Sequence, residues 1–310
     1  MSGTAAPWPR KTRELHNHHM DSTVWNDFSF REDDIVIATY GKAGTTWVQQ
    51  IVGQLIFDGQ EGVPVSVLSP WLDLRVPQKE VKLAALEQQT NRRFIKTHLP
   101  VDALLYSPRA KDLYVGRDGR DVVWSLYNHH LRANERWYQA LNETPGLVGP
   151  PIAPPPDSIR QYFLEWLAGD GYPFWSFREN IRSWWEIRAL PNLLLVHYED
   201  LKRDLAGEMR RIAAFLEFTP AAERWPAIIA HCTFDYMKVH AAEAAPLGGA
   251  FWEGGAETFI HKGVNGRWRE TLTGADRRAY ETMVEETIGT EGARWLARGR
   301  HAAMPADTPE

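Results

Sequence analysis

Lys42 lies in a short loop, Gly41-Lys42-Ala43-Gly44-Thr45-Thr46, between an apolar run and a helical pattern. Helix N-termini carry unpaired N–H groups and partial positive charge, so such a loop suits phosphate. Gly44 lets the backbone approach closely, Thr45 and Thr46 add hydroxyls, and Lys42 adds a full cation. The lysine precedes Gly-Thr-Thr instead of sitting beside the last loop residues as in the Walker A pattern. It can therefore reach a group beyond the cradled phosphate. Arg117 follows another apolar run, and Ser125 lies in the helical pattern behind it. A guanidinium offers several donors in a planar fork, which makes Arg117 a second anion-binding candidate. Each feature alone also reads plainly: the first as a βα turn with a surface lysine, the second as a capping turn of solvated charges.

The elements that must position these residues alternate. Ile35 to Tyr40 reads as a buried strand, followed by a helix whose apolar positions run from Trp47 to Ile56. Arg93 to Thr97 reads as a strand stopped by His98-Leu99-Pro100. Asp112 to Gly116 is a third strand, turned by Arg117 to Asp121 into a helix over Val122 to His130. Asn192 to Tyr198 is a fourth, with a helix from Glu199 towards Leu216. Helical patterning also covers Ile159 to Ala168 and Phe174 to Ala189. Alternation of this kind predicts an α/β fold, a P-loop-like and mostly parallel sheet flanked by helices. Ligands of such sheets sit at the carboxyl ends of the strands, which singles out Lys42, His98, Arg117 and Tyr198. Thr144 to Asp157 and Ala241 to Glu257 read as flexible stretches and are candidate lids. No linker is visible, so residues 1–310 are expected to form a single domain, with 10–300 as core and 1–9 and 302–310 as loose ends.

Composition narrows the function. The net charge of −5 argues against a nucleic-acid binder but permits a small anionic ligand held by local cations. No run of about 18 apolar residues exists to span a membrane. Cys232 is the one cysteine, which excludes an intramolecular disulfide and a cysteine-rich zinc site. Met1 to Arg10 lacks the apolar core of a secretory signal, so a cytoplasmic setting is expected. The 14 tryptophans suit a core, and also a pocket for flat or greasy ligands.

Five ordered segments together resemble the cytosolic-type sulfotransferases, which use 3′-phosphoadenosine 5′-phosphosulfate (PAPS). Tyr40 to Trp47 resembles their P-K-S-G-T-T-W loop, and Lys96 to Pro100 matches K-T-H-L-P. Tyr114 to Val122 resembles Y-V-x-R-N-x-x-D-V, with Ser125 at the position of their 3′-phosphate serine. His197 to Lys202 resembles their Y-E-D stretch, and Phe259 to Trp268 their R-K-G-x-x-G-D-W signature. Leu55 to Gly59 and Ser69 to Asp73 look closest to bacterial members, including mycobacterial glycolipid sulfotransferases.

The resemblance implies the following roles. Lys42, Ala43, Gly44, Thr45 and Thr46 would carry the 5′-phosphosulfate, and Trp47 would stack on adenine. Arg117 and Ser125 would hold the 3′-phosphate, with Tyr198 on the adenine side. His231 to Met237 resembles T-S-F-x-x-M, placing Thr233, Phe234 and Met237 near adenine. Phe259, His261, Lys262 and Gly263 would belong to the segment closing over the 3′-phosphate. The sequence departs from the pattern at Gly41 for proline, Ala43 for serine, Cys232 for threonine, His261 for arginine and Arg267 for aspartate. The family's short dimerisation motif is not recognisable in Arg269 to Gly274, so a homodimer stays open.

Sulfonate transfer to a hydroxyl or an amine would then use His98 as general base, worth about 10²–10⁴ in rate. Lys42 would stabilise the leaving phosphate oxygen, Lys96 the sulfonate in the transition state, and Ser125 would link the 3′-phosphate to the position of Lys42. Lysines supply the charge that magnesium gives in kinases, so no metal is expected. The expected partner is a small hydrophobic hydroxyl compound, aromatic or lipidic. Trp124, Tyr127, Trp137, Tyr138, Tyr162, Phe163, Trp166, Trp175 and Phe177 are candidates for its pocket, though each taken singly favours core. His16, His18 and His19 lack the spacing of a helical zinc pair, so an acceptor-side or packing role is expected. Two other functions remain: an ATP-dependent P-loop phosphotransferase, disfavoured by the lysine position, and a non-catalytic PAPS-binding module, disfavoured by Lys96 and His98 together.

Overall fold

Aspartate and arginine immediately precede two of the strands, and together they fasten the base of the sheet. In the computed structural model, which describes residues 8–260 and 262–300, four parallel strands form the sheet: β1 (Ile35–Thr39), β2 (Phe94–Thr97), β3 (Lys111–Gly116) and β4 (Leu193–His197). Their spatial order is β2-β1-β3-β4. Ile35 pairs with Phe94 on one side and Lys111 on the other, and Leu113 pairs with Leu194. The side-chain period of two splits the core. Ile35 and Ile37 join an aliphatic layer with Val48, Ile51, Val52 and Met209. Val36 and Ala38 face an aromatic layer containing Trp25, Trp166, Trp184 and Phe177.

The expected strands and crossover helices are present, with ends shifted by a few residues. Thr45–Ile56 follows β1. Gly119–Leu131 follows β3 and starts earlier than its apolar period, because the Asp118 carboxylate caps the Arg120 amide. The expected single helix from Glu199 to Leu216 is two, Tyr198–Arg203 and Leu205–Leu216. Asp204 leaves the helical conformation at φ −144° and its side chain caps the Gly207 amide at 2.8 Å. The helical segment Gly274–Arg298, broken at Gly289 where φ is 71°, is not anticipated by the apolar pattern. Its buried positions Tyr280, Val284 and Ile288 recur every fourth residue as a thin stripe among charges, a weak periodic signal.

Neither candidate lid is an open stretch. Thr144 to Asp157 is pinned by Arg75 to the carbonyls of Thr144 and Pro145, by paired bonds between Asn142 and Ile152, and by Tyr127 to the Asp157 carbonyl. Ala241 to Glu257 forms short helical turns, and its Trp252 packs with Trp137, Leu141 and Ile152.

Asp34 and Arg93 form the fastening pair. Nε to Oδ1 is 2.8 Å and Nη2 to Oδ2 is 2.5 Å, with both side chains about 1% exposed. Removing one partner of such a pair strands the other charge in the interior. Asp34→Ala is expected to lower the unfolding free energy by about 3–5 kcal/mol in urea titrations; a loss below about 1 kcal/mol would show the pair to be solvated.

Candidate active site

The loop after β1 is built to leave donors unspent. Lys42 takes a left-handed φ of 64° and Gly44 a φ of 117°. A Cβ at Gly44 would also stand 2.9 Å from Tyr198 Cδ2, so both backbone and neighbour demand glycine. No side chain caps the Thr45–Ile56 helix, and the amides of Gly44, Thr45 and Thr46 donate to no described group. Three N–H groups thus point outward at the positive end of a helix.

Thr39, the last residue of β1, ties this loop to β2. Its hydroxyl lies 2.7 Å from the Thr45 hydroxyl and 3.0 Å from Nδ1 of His98, while its carbonyl is 2.8 Å from the same Nδ1. A carbonyl only accepts, so Nδ1 carries the proton and Nε2 presents its lone pair to the cavity. The ring is clamped between Trp175, stacked at 5.5 Å, and the edge of Trp71 at 4.5 Å. Beneath, the buried Asp73 carboxylate accepts from the His98 amide and from the Trp71 and Trp25 indoles. Burial, then the charges of Lys96 and Lys42, hold the His98 imidazole well below its usual pKa, so it is neutral at pH 7.

Positive charge converges here without a salt-bridge partner among the described residues. Lys42 sits over the Phe259 ring at 4.4 Å and Lys96 over Trp71 at 4.7 Å. Arg117 lies over Tyr198 at 4.2 Å and donates to the Lys42 carbonyl and to Asn265. None of the three makes a salt bridge among the described residues. Burial first, then Lys96 and Arg117, pull the Lys42 ammonium down to about 7, and burial lowers Lys96 to about 8.

One cavity of about 470 Å³ joins these groups. Lys42, Gly44, Thr45, Thr46, Lys96, His98, Arg117 and Ser125 lie on its wall. So do Trp47, Tyr198, Phe234, Met237, Phe259, Lys262 and Gly263. Trp47 is fixed by its indole N–H to the Cys232 carbonyl at 2.8 Å and stands edge-on to Tyr198, which shapes a slot for a flat ring. A Cβ at Gly263 would meet Phe234 at 2.9 Å, so glycine lets the two segments close together. The Ser125 hydroxyl makes no hydrogen bond to a described residue. Two expected contacts are elsewhere. Ala43 is buried off the wall, its amide bonded to the Tyr40 carbonyl, and Thr233 caps the helix Phe234–Val239. His261 lies outside the described residues.

The far end of the cavity is aromatic. Trp137 and Trp175 line it, but Trp124, Tyr127, Tyr162, Phe163, Trp166 and Phe177 belong to the core and Tyr138 packs against Trp137. Trp71, Phe174, Phe251 and Trp252 complete the wall, together with His19 and His129. His129 falls one helical turn after Ser125, a spacing visible in the sequence; Phe251 and Trp252 come from a distant segment that carries no such signal. His18 packs behind His19, its Nε2 donating to the Pro173 carbonyl at 2.6 Å, and His16 lies 3.4 Å from Asp21. Among the described residues no cluster of three or more His, Cys, Asp or Glu side chains could hold a metal, and no helix is long and apolar enough to cross a membrane.

A family model described as sulfotransferase domain matches residues 32–292. A glycolipid sulfotransferase of Mycobacterium bovis is 32% identical, the match covering 93% of this chain and 94% of that protein. Sulfotransferase 1B1 of Mus musculus is 29% identical over 93% of this chain and 95% of its own length. Among solved structures, a mouse sulfotransferase complexed with PAP superposes with a TM-score of 0.67 at 23% identity, covering 88% of this chain and 91% of the other. A retinol dehydratase in a complex with retinol and PAP superposes at 0.65 and 23% identity, covering 86% and 84%. Both share the fold.

An anion seated on the loop stabilises the charged form of Lys42 and raises its pKa. Binding above about pH 7 then requires proton uptake, so affinity for a phosphorylated ligand falls as pH rises through that value. NMR titration of lysine side chains in the ligand-free protein is expected to find Lys42 with a midpoint near 7, moving upward on ligand addition. A midpoint above about 10 without ligand would place the ammonium in water.

Proposed function

The chain belongs to the sulfotransferase family, and on that premise we propose that it moves a sulfonate group from PAPS to a hydroxyl of a small hydrophobic acceptor. The observation that carries this reading is the meeting, in one cavity, of unpaired loop amides, cations without salt-bridge partners and a neutral imidazole. The orphaned amides of Gly44, Thr45 and Thr46 with Lys42 suit the 5′-phosphosulfate, and Arg117 with Ser125 suits the 3′-phosphate. Trp47, Tyr198, Phe234 and Met237 frame the adenine slot.

His98 Nε2 takes the proton of the acceptor hydroxyl as its oxygen forms a bond to sulfur. The bond from sulfur to the bridging phosphate oxygen breaks, and Lys42 neutralises the charge that develops there. Lys96 faces the sulfonate oxygens during transfer. The donor's negative charge offsets Lys42 and Lys96, the neighbours that depress the imidazole, so His98 gains basicity once the donor is bound.

The acceptor end, walled by Trp71, Trp137, Phe174, Trp175 and Trp252, favours a hydroxyl on an apolar body. That agrees with the acceptor class named for the Mycobacterium bovis relative, a glycolipid sulfotransferase.

Incubation with PAPS and a panel of phenols, alcohols and lipids is expected to yield products heavier by one SO₃; no such product with any acceptor, while ATP and Mg²⁺ bind tightly, would defeat the reading. His98→Ala is expected to abolish turnover while 3′,5′-adenosine bisphosphate (PAP) still binds with near wild-type affinity in calorimetry. Lys42→Ala is expected to lower the turnover number by about 10² or more; an undiminished rate would remove it from the transfer step.

A further inference from the structure

Arg267 has no role in the reading above, yet it lines the same cavity as Arg117, Ser125, Lys262 and Gly263. Its guanidinium makes no hydrogen bond or salt bridge to a described residue, and its Nε is sealed from solvent without a partner. Arg117, itself nine-tenths buried, likewise has an unpartnered Nε. Burial and the neighbouring Arg117 charge destabilise the Arg267 cation. The nearby carboxylates form no salt bridge with it, and the Asp121 charge offsets the penalty only in part. Asp121 accepts from the Gly266 amide at 2.7 Å, and Glu199 accepts from Asn265, which in turn accepts from Arg117.

The mount is firm. Gly266, at φ 81°, starts the short turn Arg267–Glu270, and the next residue, Trp268, is buried beneath the Arg120 guanidinium at 3.8 Å. Two guanidinium groups held beside one another in a cavity, both short of partners, form a site for a dianion. The sequence fits a relocated contact: histidine stands at 261, where the family signature has arginine, and arginine stands at 267, where it has aspartate.

We propose that Arg267 binds the 3′-phosphate of the donor together with Arg117, and so sets selectivity for a 3′-phosphorylated adenine nucleotide. This assignment rests on the PAPS reading, and the test separates the two. Calorimetry compares PAP with AMP, which lacks the 3′-phosphate, on wild-type protein, Arg267→Ala and Arg267→Lys. Arg267→Ala is expected to weaken PAP by about tenfold or more and leave AMP unchanged, since AMP offers no phosphate at that position. Arg267→Lys is expected to recover part of the loss, having the charge but not the fork. Unchanged AMP binding also reports that the variant is folded. Wild-type preference for PAP that persists intact in Arg267→Ala, or an equal loss for PAP and AMP, would overturn the assignment alone. Wild-type protein that binds PAP no better than AMP would overturn the donor reading and this assignment with it.

Discussion

Uncompensated positive charge is the constraint on which the rest of the site depends. Lys42, Lys96, Arg117 and Arg267 face one cavity, and no described carboxylate forms a salt bridge with any of them. Like charges at short range in a poorly solvated space repel strongly. Two features answer this repulsion. Lysine protons are loosened, as the low pKa of Lys42 shows, and aromatic faces of Phe259, Trp71 and Tyr198 supply weak negative potential. An anionic ligand relieves all of this at once. The cations are already in place when it arrives, so little reorganisation is required at the moment of reaction.

Thr39 makes that charge useful. Its hydroxyl and carbonyl reach both the helix start at Thr45 and the imidazole of His98. The loop with the unpaired amides and the neutral imidazole therefore share one support at the end of β1. Asp73, buried below, forms no salt bridge with these cations and spends its lone pairs on backbone and indole N–H groups. Were that carboxylate to reach Lys96 directly, it would compete with the ligand for it.

The strands were legible in the sequence because their apolar runs are continuous, and the residues after them follow from strand polarity in a parallel sheet. Lys42, His98 and Arg117 are therefore readable from local pattern alone. Other features were not. Asp204 looks like an ordinary helical residue until its side chain turns to cap Gly207. Thr233 sits within a matching motif, yet its hydroxyl serves a helix end. Phe251 and Trp252 reach the wall from a stretch rich in small residues, and only tertiary packing brings them there. Arg267 was visible as a departure from the family signature, but its pairing with Arg117 needs the fold.

Asp34 and Arg93 lie where β1 and β2 begin, and Thr39 and His98 lie where those strands finish. Structural charge is thus neutralised at one end of the sheet and left open at the other. The two ends are independently adjustable. Drift or engineering at the lower rim can alter thermal endurance without touching ligand choice, while remodelling of the upper loops can redirect chemistry on an unaltered chassis.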